Sequence, residues 1–442
     1  MDDQNDHNML EIEGGVPLQG SVRISGAKNE TTKLMVASTI LDSPVTLENV
    51  PHIGDVSITS ELLQGIGVSV QYSEKNASLR LNANGLSGHQ AIYESKRANR
   101  LSVLLAGPLL YHFGEAVVQK PGGCKIGERP LDQHLYYLHR LGITIDEQDK
   151  IIKLKGKLRG NLIDFPYKSV GATEGALLAA VRADGETVIK NAANEPEIAE
   201  QIKFLQRAGA LIWYTADGSI RIEGTSGKLS LDQPVRMIGD RVEAISYAAA
   251  AVASGGRVDL LGIQHHQIVT AISALRQCGA NVEFNGAGIV VSAGEKVLPY
   301  RIETDPHPAF ATDFQQVFVV LMSVARGLSF MHETVFDNRF KYLEQLNKLG
   351  GNFEVSTKCE PFNNCRFANA HEHTAKINGP IHFYGGQAEI TDLRAAFALT
   401  MAGLLSPAKT RLTNAHHLLR GYDRPIEKLT ALGAKIRLIE KK

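Results

Sequence analysis

LLQGIGVSV, at residues 62–70, is the first of six similar segments in this chain of 442 residues. Each segment is an apolar helical turn, then a glycine, then an alternating strand. The other five are YLHRLGITI (137–145), FLQRAGALI (204–212), ALRQCGANVEF (274–284), QLNKLGGNFEV (345–355) and KLTALGAKIRL (428–438). Their glycines lie 67 to 83 residues apart, a period typical of one supersecondary unit that is repeated along the chain. Each glycine is expected to end a helix in the left-handed conformation.

The residues between these segments predict what one repeat contains. A helix of small apolar residues comes first, then a short β-branched strand, a second helix, the glycine segment and a hairpin. Asp217-Gly218 and Asn285-Gly286 are hairpin-turn signals. Because many of the strands belong to hairpins, the pattern indicates a mixed α/β fold rather than a doubly wound parallel sheet.

Six helices of small apolar residues lack a polar face, which is typical of helices inside a domain. They begin near Lys28, Arg100, Ala172, Arg241, Asp313 and Asp392. Six such helices predict two domains of three repeats. Their polar N-terminal ends offer N–H groups and a positive dipole end to anions. We therefore expect a small polyanionic substrate in a cleft between the two domains.

The composition excludes some classes of partner. Lys plus Arg equals Asp plus Glu, at 47 each, so no overall charge favours nucleic acid or an acidic membrane. No apolar run is long enough to span a membrane, and the polar start does not resemble a signal peptide. Residues 1–9 are expected to form a disordered tail. The four cysteines show no disulfide framework, which favours a reducing cytoplasm.

The second repeat carries an unusual loop, QKPGGCKIGERPLDQH, at residues 119–134. Cys124 lies among glycines and close to Lys125 and Arg129. Nearby cations lower the pKa of a thiol and make it reactive. The alternative is a buried, inert cysteine, but the polar, glycine-rich surroundings favour a reactive one. The other three cysteines are interpreted as structural.

Other polar residues have two interpretations each. Asp313 and Asp392 stand at helix starts, so each is either a reactive carboxylate or an N-cap. Arg394, Arg420 and Arg424 are either substrate ligands or surface ion-pair residues. Cys359, Cys365, His371 and His373 lie near one another in sequence, but the spacing of CEPFNNC matches no standard zinc pattern. No metal is predicted.

Eight motifs, in order, resemble the enolpyruvyl transferases, and among them the branch with a UDP-sugar acceptor. They are ISGAKN (24–29), PGGCKIGERPLDQH (121–134), SVGATE (169–174), EPEI (195–198), HPAFATD (307–313), ETVFDNRF (333–340), TDLRA (391–395) and RGYDR (420–424). The resemblance implies an inside-out α/β barrel in two domains, each with three βαβαββ repeats. It places one domain at 10–27 plus 239–442 and the other at 28–238.

The resemblance also implies an activity. The enolpyruvyl group of phosphoenolpyruvate would move to the 3′-hydroxyl of UDP-N-acetylglucosamine with release of phosphate, the first committed step of peptidoglycan synthesis. Cys124 would be the general acid and Asp313 the general base, with Asp392 beside the reacting centre. The 119–129 loop would close over the substrates. No cofactor is implied.

The residues implied to bind the substrates fall into two groups. The contacts to phosphoenolpyruvate are expected from Lys28, Asn29, Arg129, Arg394 and Arg420, of which Lys28, Arg129 and Arg420 are also counted as catalytic. The contacts to the UDP-sugar are expected from Arg100, Arg129, Pro130, Leu131, Asp132, Ser169, Val170, Gly171, Asp313 and Val335. The oligomeric state is left open, with a homo-oligomer as one alternative.

Departures from the family pattern keep two other functions open. NETTKLM (29–35) and NRLS (99–102) differ from the usual residues on the substrate side, and an insertion lies around 355–385. A paralogue that acts on another nucleotide such as UMP would fit the first two departures. A non-catalytic nucleotide-sugar sensor is the third alternative, although Cys124, Asp313 and the cations are all present.

Overall fold

A computed structural model describes residues 8–93, 100–120, 131–286, 288–359, 361–362, 367 and 370–440. The described chain divides into two compact units. Unit 1 contains the described residues of 1–25 and 239–442, and unit 2 contains those of 26–123 and 129–238. Each unit has its own cluster of buried apolar side chains.

The strands are short, and most have three to six residues. They are β1 (Asn8–Glu13), β2 (Gln19–Arg23), β3 (Val45–Glu48), β4 (Ser69–Ser73), β5 (Ser78–Asn82), β6 (Gln90–Ala91), β7 (Glu115–Gln119), β8 (Thr144–Glu147), β9 (Ile151–Lys155), β10 (Leu162–Asp164), β11 (Glu186–Lys190), β12 (Leu211–Tyr214), β13 (Ile220–Glu223), β14 (Val235–Arg236), β15 (Arg257–Leu261), β16 (Asn281–Asn285), β17 (Gly288–Ser292), β18 (Arg301–Glu303), β19 (Gly327–His332), β20 (Phe353–Ser356), β21 (Thr374–Gly379), β22 (Gly386–Glu389), β23 (Lys409–Thr413) and β24 (Lys435–Glu440).

Within the described residues these strands form six four-stranded sheets of one design. Unit 2 contains the sheets β14-β3-β5-β4, β6-β7-β9-β8 and β10-β11-β13-β12, and unit 1 contains β2-β15-β17-β16, β18-β19-β21-β20 and β22-β23-β1-β24. In each sheet the first pair is parallel and the next two pairs are antiparallel. The predicted repeat is therefore confirmed, together with its mixed α/β class.

The N-terminal segment completes two sheets of unit 1. Strand β1 lies between β23 and β24, and β2 pairs with β15. The sixth glycine segment consequently supplies only β24. In this sheet β1 takes the place that the second hairpin strand has in the other five repeats. The expectation of a disordered tail through residue 9 is wrong for Asn8 and Met9, because Asn8 pairs with Glu440 and Met9 with Ile439. Residues 1–7 lie outside the described residues.

The helices share the predicted alternation of buried and amphipathic types. They are α1 (Lys28–Ala37), α2 (Gly54–Gly65), α3 (Ala106–Phe113), α4 (Asp132–Arg140), α5 (Val170–Ala180), α6 (Pro196–Arg207), α7 (Arg241–Ala253), α8 (Val269–Gln277), α9 (Gln315–Ser323), α10 (Tyr342–Lys348), α11 (Leu393–Leu405), α12 (His416–Gly421) and α13 (Pro425–Ala431). Nearly every residue of α5, α7, α9 and α11 is buried. The apolar helices thus lie inside the sheets, as in an inside-out α/β barrel.

Two of these helices start differently from the prediction. The helix expected from Arg100 begins as a 3-10 helix at Leu101–Leu105. Asp313 likewise lies in a 3-10 turn, Thr312–Phe314, directly before α9. Among the described residues, no helix combines the length and the apolar character needed to cross a membrane.

Each of the six repeated glycines lies just after a helix, and its own backbone is in the left-handed region. Their φ angles run from 87° at Gly142 to 109° at Gly209. In every copy the next residue donates its N–H to the carbonyl five residues back, as Val68 does to Leu63 at 3.0 Å and Ala280 to Leu275 at 3.0 Å. This is the Schellman arrangement, which satisfies the last carbonyls of a helix and requires a residue without a Cβ penalty.

The surroundings of two of these glycines differ, which predicts different costs for adding a methyl group. At Gly433 (φ +94°) an added Cβ would meet nothing within 4 Å, but at Gly279 (φ +89°) it would lie 2.5 Å from the carbonyl oxygen of Lys296. Gly433→Ala is expected to lower the free energy of unfolding by about 1–2 kcal/mol, the left-handed penalty alone. Gly279→Ala should cost about 1–3 kcal/mol more, because the backbone must also shift.

Urea denaturation followed by fluorescence measures both variants in the same unit. An equal loss in the two variants would mean that the close approach at Gly279 does not constrain the chain.

Candidate functional site

Asp313 lies between two buried guanidinium groups of unit 1. Its Oδ2 accepts a hydrogen bond from Nη2 of Arg394 at 2.6 Å, and its Oδ1 accepts one from Nη2 of Arg339 at 3.1 Å. Burial alone would lower the pKa of Arg394, but Asp313, together with Tyr422 and Asp240, raises that pKa above its ordinary value. Charge-assisted bonds of this kind fix the carboxylate in one orientation.

Glu333 supports the turn that carries Asp313. Its carboxylate accepts hydrogen bonds from the Thr312 hydroxyl at 2.8 Å and the Gln315 amide at 3.1 Å, and also from the backbone N–H of Val335 at 2.9 Å. Burial raises the pKa of Glu333, although Arg339 and these donors oppose that rise. Val335, an expected nucleotide contact, therefore has its backbone held by Glu333 and is half-buried.

Asp392 caps α11. Its Oδ1 accepts the backbone N–H groups of Arg394 at 2.8 Å and Ala395 at 3.0 Å. The N-cap interpretation of Asp392 is therefore confirmed. The same carboxylate also lines a cavity of about 210 Å³ with a second group of residues, Asn338, Arg339, Lys341, Tyr342, Glu344 and Thr391.

Arg339 and Lys341 contribute cationic side chains to this cavity, and Asp392 and Glu344 contribute acidic ones. The Arg339 side chain is buried, and its Nε and Nη1 have no hydrogen-bond partner among the described residues. Buried donors without partners are costly. Arg339 belongs to the motif ETVFDNRF, but no role for it was predicted, because its pairing with Asp313 depends on tertiary structure. Arg420, an expected ligand of phosphoenolpyruvate, lies in the last turn of α12.

The second group of expected residues lies in unit 2. Lys28 is the first residue of α1, and its Nζ lies 3.0 Å from Oδ2 of Asp55 in the first turn of α2. Asn29 follows at the second position and is half-buried. Asp55 was not predicted from the sequence, since it carries no motif of its own. The ion pair orients the expected phosphoenolpyruvate ligand Lys28.

The expected nucleotide segments are adjacent within unit 2. Asp132 is the first residue of α4 and accepts a hydrogen bond from the Tyr167 hydroxyl at 3.0 Å. Ser169 caps α5, and its hydroxyl accepts the N–H of Ala172 at 3.4 Å. Val170 and Gly171 form the first turn of α5. The N-terminal ends of α4 and α5 thus meet, with Leu131 directly before α4 and half-buried.

His134 joins these two helix ends. A Cβ at Gly171 would lie 3.2 Å from Nε2 of His134, so the glycine allows the close approach. The Nδ1 atom of His134 is buried and has no hydrogen-bond partner among the described residues. Burial, with a smaller effect of the Arg100 charge, lowers the pKa of His134 to about 3. The imidazole is therefore neutral at physiological pH, which the sequence motif did not predict.

Three expected site residues belong to a part of the chain that the structure does not describe. Cys124, Arg129 and Pro130 lie outside the described residues, as does most of the 119–129 loop. Arg100 directly precedes the 3-10 helix Leu101–Leu105. Their roles, and the closure of the loop, stay predictions from the resemblance.

The cysteine and histidine residues near 355–385 are arranged differently from the expectation. His332, Cys359 and His373 offer ligand atoms that all lie within 4.8 Å of one another. The side chain of His371, which the sequence grouped with His373, does not belong to this cluster; the third member is His332, which is distant in sequence. Cys359 is disulfide-bonded, whereas Cys278 is free and buried. The cysteine spacing showed no disulfide framework, so the bond at Cys359 was not predicted.

The family is decided by a match over almost the whole chain. Residues 12–429 match the model of the EPSP synthase family, 3-phosphoshikimate 1-carboxyvinyltransferase. The chain belongs to the enolpyruvyl transferase family. It is 40% identical to a UDP-N-acetylglucosamine 1-carboxyvinyltransferase of Protochlamydia amoebophila, over 98% of this chain and 95% of that protein. It is 41% identical to one of Chlamydia abortus, over 97% and 98%.

Solved structures agree with this membership. The enolpyruvyl transferase NikO of Streptomyces tendae superimposes with a TM-score of 0.85 at 25% identity, over 98% of this chain and 99% of that chain. An EPSP synthase of Acinetobacter baumannii gives 0.70 at 18% identity, over 98% and 100%, which supports the fold alone. The chain is therefore a carboxyvinyl transferase with the fold that the sequence predicted.

The buried His134 predicts a dependence of stability on pH. Its pKa is near 6.5 in the unfolded chain and about 3 in the folded one. Between these values the unfolded state binds more protons, so the free energy of unfolding falls as the pH drops below 6.5. The slope is up to about 1.4 kcal/mol per pH unit.

Urea denaturation at several pH values tests this prediction. His134→Leu should flatten the curve between pH 4 and 6.5, whereas His139→Leu, on the exposed side of α4, should keep the slope. The same slope in His134→Leu as in the wild type would show that His134 is not the titrating group.

Proposed function

We propose that this enzyme transfers the enolpyruvyl group of phosphoenolpyruvate to the 3′-hydroxyl of UDP-N-acetylglucosamine, with release of phosphate. The proposal is supported most directly by the position of Asp313 between Arg339 and Arg394, of which Arg339 also lines a cavity of about 210 Å³. Relatives near 40% identity carry the name of this activity. The reaction would be the first committed step of peptidoglycan synthesis, in the cytoplasm.

The chemistry needs two proton transfers and several fixed cations. In the addition step Cys124 gives a proton to the methylene carbon of phosphoenolpyruvate, and Asp313 takes one from the attacking hydroxyl. A tetrahedral adduct forms, and loss of a proton from its methyl group with departure of phosphate restores the double bond. Lys28, Arg129 and Arg420 hold the anionic groups of phosphoenolpyruvate, because fixed charges stabilise such an adduct better than water does.

Arg394 connects substrate binding to the base. It was expected to bind phosphoenolpyruvate, and in this structure its Nη2 lies 2.6 Å from Asp313. An anionic substrate group that draws Arg394 away would leave Asp313 with less neutralising charge. The carboxylate would then be a stronger base, and only after the substrate has bound. Arg339 would keep Asp313 oriented throughout.

Unit 2 supplies the contacts for the nucleotide. The first turn of α5, at Ser169, Val170 and Gly171, presents backbone N–H groups that suit a diphosphate. Leu131 and Asp132 lie beside it at the start of α4 and suit the uracil ring. Arg100 and, in unit 1, Val335 are proposed to contact the rest of the UDP-sugar. No cofactor is needed for these steps.

The acceptor decides between this function and its alternatives. We expect phosphate release from phosphoenolpyruvate when UDP-N-acetylglucosamine is present. UMP and shikimate 3-phosphate, tested in parallel, should give no release. Formation of the enolpyruvyl ether in the product, detected by mass spectrometry, checks that phosphate release reports transfer and not hydrolysis.

Each contrary result has its own meaning. Release only with UMP would make the protein a paralogue and would turn the departures at 29–35 and 99–102 into determinants of specificity. Binding of the UDP-sugar with no release from any acceptor would make it a sensor. Either result would overturn the proposed function.

A further inference from the structure

We propose that the reduced protein binds a zinc-type divalent cation through His332, Cys359 and His373. The three residues come from separate parts of unit 1: the end of β19, the segment after β20, and the residue before β21. Their ligand atoms all lie within 4.8 Å of one another. Two imidazoles and a thiolate are a common ligand set for zinc.

The distances are close to those of a metal centre. Nε2 of His373 lies 3.3 Å from Sγ of Cys359. With zinc bonds of about 2.3 Å to sulfur and about 2.0–2.1 Å to nitrogen, tetrahedral geometry separates these ligand atoms by about 3.5 Å. A cation could therefore enter with small movements of the side chains.

The hydrogen bond of His373 selects a ligating tautomer. Nδ1 of His373 bonds to the backbone carbonyl of His371. Because a carbonyl only accepts, Nδ1 must carry the proton, and the lone pair of the ring is on Nε2, which faces Cys359. Nδ1 of His332 lies 2.8 Å from the hydroxyl of Thr374. Outer partners of this kind orient the histidine ligands of metals.

The surroundings of the cluster are apolar. His332 and His373 are fully buried. The ring of Phe362 stacks on His332 with centroids 4.8 Å apart, and Phe367 lies 5.6 Å from His373. Buried histidines are often held by hydrogen bonds alone. The disulfide accounts for the position of the Cys359 sulfur in this structure, and the proposal adds that this sulfur stays beside Nε2 of His373 after reduction.

Cys359 must be a thiolate to bind the cation, and in this structure it is disulfide-bonded. The site therefore belongs to the reduced chain. An added phosphine cleaves the disulfide to two thiols and takes oxygen from water to become the phosphine oxide. When the metal–sulfur bond forms, the Cys359 thiol releases its proton to solvent.

A cation at this place would fasten the long connection between β20 and β21. That connection runs through residues 357–373 and carries two of the three ligands, while His332 anchors the site to the sheet. Binding of a metal to the folded chain alone stabilises it. The metal takes no part in the proposed transfer reaction.

Metal uptake by the full-length protein tests the proposal. The protein is reduced with tris(2-carboxyethyl)phosphine without oxygen and titrated with Zn²⁺, and the bound metal is measured after gel filtration. About one equivalent is expected, and Co²⁺ should give tetrahedral absorption bands with a thiolate charge-transfer band. Cys359→Ser and His373→Asn should weaken binding by at least about 100-fold.

One matched control makes the result specific. His371→Asn should bind as the wild type does, because only the backbone carbonyl of residue 371 is used. A further variant, Thr374→Val, removes a hydroxyl that contacts His332 and should weaken binding by about 10–100-fold.

A second measurement does not depend on the folding of any variant. In the wild-type protein Zn²⁺ should slow alkylation of Cys359, which is read by peptide mass spectrometry.

The proposal would be overturned by absence of zinc uptake in the reduced wild type, by full uptake in Cys359→Ser, or by protection of Cys124 in place of Cys359. Equal loss in His371→Asn and His373→Asn would also contradict it.

Discussion

The carboxylate of Asp313 is held between two buried arginine side chains, and the polar end of unit 1 is built around that contact. Removing two guanidinium groups from water is costly unless their charge is compensated. Asp313 contacts both Arg339 and Arg394, and the buried Glu333 carboxylate adds a second negative charge that interacts with Arg339, so these residues depend on one another. Glu333 and the N-cap Asp392 then position the turns that carry them. The proposed base is thus fixed by the same contact that stabilises the buried cations.

The repeated scaffold explains why such a contact can occur at this place. Buried helices without a polar face can only present polar groups at their ends. In unit 1 the ends of α9 and α11 carry Asp313 and Arg394, and in unit 2 the ends of α4 and α5 carry Asp132 and Ser169. The shared glycine segments and hairpins form the frame. The proposed chemistry is assigned to residues that differ between copies.

The sequence predicted what depends on local geometry. The helix-ending glycines, the hairpins and the buried helices all follow from spacing and side-chain size, and the structure confirms them. The N-cap interpretation of Asp392 was also available from its position. Contacts that join distant segments were not. Arg339 reaches Asp313 across 26 residues, His332 reaches Cys359 across 27, and β1 completes a sheet with β24.

Two particular arrangements were not predicted, for physical reasons. The spacing of CEPFNNC matches no local zinc pattern, and the cluster of His332, Cys359 and His373 includes a residue from the preceding strand. His134 was quoted within a motif and given no role, because its neutral state results from burial against α5. In both cases the residue is visible in the sequence, but its neighbours in space are determined by the fold.

The most direct test of the account is a double-mutant cycle on Asp313 and Arg339, measured as kcat/KM with phosphoenolpyruvate and UDP-N-acetylglucosamine. If Arg339 acts by holding Asp313, Asp313→Asn and Arg339→Met should each lower kcat/KM by about 10²–10³, and the double variant should be no worse than the poorer single one. Lys341→Met, at the exposed wall of the same cavity, should have little effect. A double variant whose loss is the product of the two single losses would show that the two residues act independently and would contradict the account.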